Sequence, residues 1–297
     1  MKWEGVLPAI TTPFRADLSV DADLLVKQID ALVGAGCTGV VALGSLGEGS
    51  SLSFDERKAV LRLCREAVAG RAALVSGVAA LTTAEAVRLA QLAAELGCDG
   101  LMVLPPYVYR GDWRETRAHF VAVIAATPLP CMLYNNPVAY GTDVLPEHLR
   151  ELADDLPNLV AVKESSTDVR RVTAIGALCG VRLSVLVGVD DAVVEAVAAG
   201  AVGWIAGLAD ALPRESVRLF ELARARRWEE ARAIYEWFLP LLRLDTVPKF
   251  VQLIKLVQQE TGLGSEAVRP PRLPLAGEER ERALHRIRET LSQRPTL

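Results

Sequence analysis

The sequence predicts a (β/α)8 barrel of the TIM type over residues 1–225, followed by a C-terminal helical extension over residues 226–297. Three observations carry that expectation. Short Val/Ile/Leu-rich runs alternate eight times with longer amphipathic stretches, and roughly 225 residues suit eight such units. The runs are apolar at consecutive positions, as in a parallel sheet covered on both faces by helices. Past residue 225 the strand signals stop. A doubly wound open sheet would alternate in the same way. Its first strand, however, would lead into a glycine-rich dinucleotide turn, and PAITTPF contains no glycine.

In chain order the expected strands are 5–11, 39–43, 73–77, 100–104, 131–134, 160–162, 183–187 and 203–205. Helical periodicity fills the gaps, for example 21–34, 53–69, 82–96 and 113–126. Asp21, Ser53 and Thr82 stand where N-caps belong, and Ser53 with Glu56 three residues on makes a capping box. GAG, LGCDG and AAGAVG end helices with the glycine that a left-handed closing residue favours. The extension reads as helices over 228–244, 247–260 and 278–291, with the proline-stiffened RPPRLPL at 269–275 between the last two.

Composition narrows the function. A formal net charge of −4 and scattered basic residues give no footprint for nucleic acid. Five cysteines without paired spacing read as buried thiols in a reducing compartment. The opening MKWEGVLPAI lacks the apolar segment of a signal peptide, and the apolar stretch at 31–47 is broken by glycines. The expectation is a cytoplasmic protein with no membrane association. His119, His148 and His285 lie far apart in helical contexts, so no metal site is expected. Asp190 and Asp191 read most simply as caps of the helix after the seventh strand.

Barrel chemistry sits at the C-terminal ends of strands. There the sequence places Lys163, directly after the apolar run 159–162. The chain has six lysines against 27 arginines, and Lys163 is the one lysine between Lys58 and Lys249. Arginine stays protonated in a protein, whereas lysine loses its proton when desolvated. An apolar barrel mouth lowers the pKa of an amine from ~10.4, and the neutral amine can attack a ketone to form an imine. The alternative is a lysine that snorkels to solvent. Tyr134 in YNNP ends the neighbouring strand and could shuttle the protons that imine formation requires; otherwise it packs its ring and bonds a loop. GSLGEG at 44–49 could converge backbone N–H groups on a carboxylate, with the Ser45 hydroxyl beside them, or form only a tight turn.

Taken together, AITTPF, GSLGE, PPY, YNNP, VKE, GVDD and RLPL resemble, in this order and spacing, the dihydrodipicolinate synthase/N-acetylneuraminate lyase family. The likeness spans nearly the whole chain. It implies a (β/α)8 barrel with a helical C-terminal extension, a homotetramer, and a class I mechanism without metal or cofactor. It implies that Lys163 forms the Schiff base with pyruvate or another 2-oxo acid and that Tyr134 is the acid/base partner. Ser45 matches the hydroxyl of the proton relay, and Tyr107 the tyrosine that reaches a neighbouring subunit's site. The N–H groups of Ser45 and Leu46 would hold the substrate carboxylate; Gly188 and Ile205 match positions on the pocket floor.

Two departures from the family pattern bear on the substrate. Leu46 replaces a second hydroxyl. Ala139 and Tyr140 occupy the stretch where lysine-pathway synthases carry an arginine for the carboxylate of the aldehyde substrate. Losing that guanidinium removes about 2–5 kcal/mol of charge-assisted binding. The expected function is therefore a Schiff-base lyase acting on a 2-oxo acid or cyclic imine rather than a lysine-pathway synthase. Alternatives are a 2-keto-3-deoxy sugar acid aldolase, a deaminase of 1-pyrroline-4-hydroxy-2-carboxylate, a genuine dihydrodipicolinate synthase, or a retired barrel that only binds a 2-oxo acid.

Overall fold

The computed structural model describes residues 1–296. Eight strands form one parallel sheet in the order β1-β8-β7-β6-β5-β4-β3-β2. They are β1 Gly5–Pro8, β2 Gly39–Ala42, β3 Ala73–Val78, β4 Gly100–Val103, β5 Cys131–Asn135, β6 Leu159–Glu164, β7 Ser184–Val187 and β8 Gly203–Ala206. The seam between β1 and β2 is closed by Thr38 N donating to Val6 O (2.9 Å) and Ile10 N donating to Val41 O (3.0 Å). The sheet is thus a barrel. Strands β2, β4, β5 and β8 are buried at every residue, so both faces are covered, as the continuous apolar runs require.

Around the barrel lie α1 Ala22–Gly34, α2 Phe54–Val68, α3 Thr83–Glu95, α4 Trp113–Ala125, the single turn α5 Pro137–Tyr140, α6 Pro146–Asp155, α7 Arg170–Cys179, α8 Val193–Ala198 and α9 Pro213–Arg224. Asp21, Ser53 and Thr82 cap α1, α2 and α3, each accepting from the backbone N–H three residues on. Ser53 and Glu56 complete the capping box. All five cysteines are free and buried, and burial pushes the Cys64 thiol up to about 12. Among the described residues no helix is long and apolar enough to cross a membrane.

Two expectations are corrected. Strand β6 does not stop before Lys163; it continues through Glu164, because Lys163 and Glu164 pair with Tyr134 and Asn135 on one side and Leu186 and Val187 on the other. Asp190 does not cap the helix after β7. Its buried carboxylate accepts from Trp204 Nε1 (2.8 Å), Gly207 N (3.1 Å) and Leu208 N (2.7 Å) and so fixes the loop after β8. A buried carboxylate needs donors, and it finds one on the Trp204 ring of β8 and two in that loop. Helix α8 begins without a side-chain cap.

The chain continues in α10 Trp228–Leu242, a 3₁₀ turn Arg243–Thr246, α11 Phe250–Thr261 and α12 Gly277–Ser292. This extension is tied to the barrel mouth by a buried ion pair. Lys255 Nζ lies 2.5 Å from Glu48 Oε1 and also donates to Thr12 O (2.8 Å) and Ala267 O (2.7 Å). Glu48 Oε2 accepts from Arg269 N (3.0 Å). Deleting one partner of such a pair strands the other charge in the core. Lys255→Met is therefore expected to lower the free energy of unfolding by about 3–5 kcal/mol, read from denaturant titration. A change under ~1 kcal/mol would show that Glu48 finds other partners.

Candidate active site

The register of β5 and β6 puts Tyr134 directly beside Lys163, and Asn135 beside Glu164. Paired residues of parallel strands share a face, and alternate residues point opposite ways. Tyr134 and Lys163 therefore both point into the barrel mouth, where they line a cavity of about 470 Å³. Asn135 and Glu164 point the other way, with Asn135 Nδ2 donating to Glu164 Oε2 (3.1 Å).

Lys163 is 6% exposed, and its Nζ sits 4.0 Å from the centroid of the Tyr134 ring. Among the described residues it has neither an ion-pair partner nor a hydrogen-bond acceptor. The contrast with Lys255 is informative: that lysine is also buried, and its amine has three oxygen acceptors. A cation held by three oxygens is structural. A buried amine facing only an aromatic ring and a cavity is available for reaction. Gly188 makes its space: a Cβ there would lie 2.3 Å from Lys163 Cε and 2.2 Å from Ser165 Oγ.

The glycine turn after β2 forms the opposite wall. Glu48 adopts φ +52°, and a Cβ on Gly49 would fall 2.2 Å from Leu43 O. The turn folds tightly enough that the N–H groups of Ser45 and Leu46 find no acceptor among the described residues. Such unspent donors at a cavity wall suit an anion. Leu46 is buried and makes this wall apolar, while Ile205 and Gly188 lie across the cavity.

Ser45 Oγ is hydrogen-bonded to Tyr140 Oη. The turn α5 brings Tyr140 there, with Asn136 as its cap: Asn136 Oδ1 accepts from Ala139 N (2.9 Å). The same side chain donates through Nδ2 to Tyr134 Oη (3.0 Å), leaving the phenolic proton of Tyr134 free to point into the cavity. The Tyr134 and Tyr140 rings meet edge to face at 5.6 Å, and Tyr107 lies 5.8 Å from Tyr140. Burial and the neighbouring Tyr134 phenol raise the pKa of Tyr140 well above the usual tyrosine value, so the hydroxyl stays protonated.

Lys163, Tyr134, Ser45, Leu46, Gly188, Ile205 and Tyr107, all singled out in the sequence, line this one cavity. Tyr107 does so within its own chain. Sequence reasoning missed Tyr140 as the partner of Ser45; the Asn-Pro turn ahead of it was the available signal. It also missed Asp245 and Arg272, which line the cavity from the extension. Arg272 opens the RLPL segment, but no local pattern turns either residue toward the cavity. Among the described residues no group of three His, Cys, Asp or Glu side chains could hold a metal ion.

Comparison with known proteins places this geometry among relatives. A model of the dihydrodipicolinate synthetase family matches residues 2–290. The 4-hydroxy-tetrahydrodipicolinate synthase of Halorhodospira halophila is 34% identical over 286 residues, covering 94% of this chain and 95% of its own. The solved structure of 4-hydroxy-tetrahydrodipicolinate synthase from Methylacidiphilum fumariolicum SolV superposes with a TM-score of 0.92 at 29% identity, covering 98% of each chain. That of YagE from E. coli K12, a dihydrodipicolinic acid synthase family protein in complex with pyruvate, gives 0.91 at 28%, covering 97% of this chain and 99% of its own.

Proposed function

The chain belongs to the dihydrodipicolinate synthetase family, a family of class I, aldolase-type lyases, and from that premise we propose that Lys163 forms an imine with the keto group of pyruvate or another 2-oxo acid. The observation that carries this reading is the lack, among the described residues, of any acceptor for a buried amine beside a tyrosine. The substrate carboxylate would take the N–H groups of Ser45 and Leu46, setting the ketone toward Nζ. Attack gives a carbinolamine, whose oxygen must gain a proton to leave as water. Tyr134 would supply it, and the Ser45–Tyr140 hydroxyl pair would extend the path for protons. Incubation with pyruvate and borohydride, followed by peptide mass mapping, tests the step: the reduced adduct should lie on the peptide that carries Lys163. A retired binding barrel would give no adduct.

The physiological reaction we propose is lyase chemistry on a 2-oxo acid or cyclic imine other than the lysine-pathway condensation. Ring opening of 1-pyrroline-4-hydroxy-2-carboxylate and cleavage of a 2-keto-3-deoxy sugar acid are its two forms. The support is Ala139 and Tyr140 in the stretch where the synthases carry an arginine, with the Tyr140 hydroxyl turned to Ser45 instead. A specific observation favours the second reading, a genuine synthase. Arg272 lines the cavity with no side-chain hydrogen bond among the described residues, its nearest ion-pair partner being Glu48 at 3.9 Å. It could take the second carboxylate, and the relatives bear the synthase name. Comparing kcat/KM for condensation with that for the two lyase substrates decides between them.

The same reading includes a homotetramer. Leu81, Val108 and Tyr109 are 69%, 81% and 57% exposed next to Tyr107, an apolar surface suited to a partner subunit. Light scattering is expected to give four times the chain mass; a fully active monomer would refute it.

A further inference from the structure

Resting on the imine reading above, we propose that Asp245 is a catalytic acid that gives its proton to the hydroxyl leaving C4 of a 4-hydroxy-2-oxo acid, so that this cavity eliminates water. Asp245 stands in the 3₁₀ turn Arg243–Thr246 of the extension, whose residues help to line the cavity that holds Lys163. Among the described residues it is the one carboxylic acid on that lining.

Its surroundings are made for a neutral carboxyl. Gly207 leaves the space: a Cβ there would sit 2.2 Å from Asp245 Oδ1. No donor among the described residues reaches the Asp245 carboxyl. The nearby acids are held differently: Asp190 accepts from Trp204, Gly207 and Leu208, and Asp210 from Thr11 N (2.8 Å). Arg243, two residues before it, is directed at Asp191 instead, at 3.7 Å. Burial, then the charges of Asp190, Asp210 and Asp191 on the loops after β7 and β8, disfavour ionisation of Asp245; Lys163 on β6 is the cation that opposes them. Asp245 is half-buried as a residue; desolvation of its carboxyl is the largest of these causes, and the net effect is a pKa raised well above the usual carboxyl value.

A protonated acid in this place has a particular use. Aldol cleavage needs a base to take the proton from a C4 hydroxyl; an acid does the reverse and turns that hydroxyl into a leaving water. With the Lys163 iminium at C2, a C3 proton passes to the Tyr134 hydroxyl as that hydroxyl hands its own proton on to solvent, giving the enamine. The nitrogen pair then restores C=N, the C2–C3 pair moves to C3–C4, and the C4–O bond breaks as the oxygen takes the Asp245 proton. One proton leaves C3 and one joins the oxygen departing from C4, so water is lost with no change in oxidation state. The iminium charge left behind stabilises the new Asp245 carboxylate.

The probe is 4-hydroxy-2-oxopentanoate. Elimination gives a conjugated oxo acid with strong ultraviolet absorbance, whereas cleavage gives pyruvate and acetaldehyde. The full-length protein is expected to produce the conjugated acid. Asp245→Asn should produce it at least ~100-fold more slowly while borohydride still traps the substrate on Lys163 at the parent rate. Should that variant fail to trap, the comparison is read from Asp245→Ser. Elimination by a trapping variant within threefold of the parent overturns the proposal, as does a parent protein that traps the probe and releases only cleavage products. A parent that traps nothing sinks the imine reading itself and this inference with it.

Discussion

Lys163→Arg is expected to abolish turnover, by at least ~10⁴-fold or about 5 kcal/mol of barrier, and to remove the borohydride adduct. Arginine keeps the positive charge, the long apolar stem and the stacking on Tyr134, so packing around Gly188 changes little in kind. What it cannot do is lose a proton and attack a carbonyl carbon. The variant therefore separates a lysine that reacts from one that only supplies charge. Binding of pyruvate should fall much less, within about tenfold, because the carboxylate site proposed at Ser45 and Leu46 is untouched. Turnover within tenfold of the parent would show that the amine is electrostatic only, and the covalent reading would fail.

The barrel was legible because burial on both faces forces a strand to be apolar at every position, and that pattern differs from the stripe of a surface helix. Lys163 was legible because it follows four apolar residues at the end of such a strand, in a chain that uses arginine elsewhere. Its neighbour in space, Tyr134, followed from adjacency of β5 and β6. What stayed hidden depends on contacts between distant segments. Lys255 sits in an apolar helical run much as Lys163 follows an apolar strand, and only the arrival of Glu48, 207 residues earlier, marks it as structural. Asp190 looked like a helix cap because the cap is the nearest use for a carboxylate; its actual donors come from β8 and the loop after it. Tyr140 reads as a lost arginine in the chain and as the partner of Ser45 in space. Asp245 and Arg272 belong to an extension whose path over the barrel mouth no local pattern encodes.

The second large effect concerns protons rather than the nucleophile. Tyr134→Phe is expected to slow both imine formation and turnover by about 10²–10⁴-fold, the usual contribution of a positioned acid or base. The ring stays, so the face under Lys163 Nζ and the edge toward Tyr140 are preserved. Only the hydroxyl goes, together with the bond from Asn136 Nδ2. The adduct should still appear on Lys163 at long times, because the amine is intact; its rate of appearance is the quantity that falls. Tyr140→Phe tests the outer half of the path. Burial keeps that phenol neutral well past the usual tyrosine range, so its ionisation cannot shape an alkaline limb of the pH–rate profile. A group whose pKa lies far above the assay range holds its proton throughout it, and removing the hydroxyl should lower the rate about equally at every pH. The expected loss is smaller than for Tyr134, about tenfold, since Ser45 and cavity water can still carry the proton. If Tyr134→Phe were fully active and Tyr140→Phe inactive, the order of the relay would be reversed, with Tyr140 next to the carbinolamine and Tyr134 serving only as the ring beneath the amine.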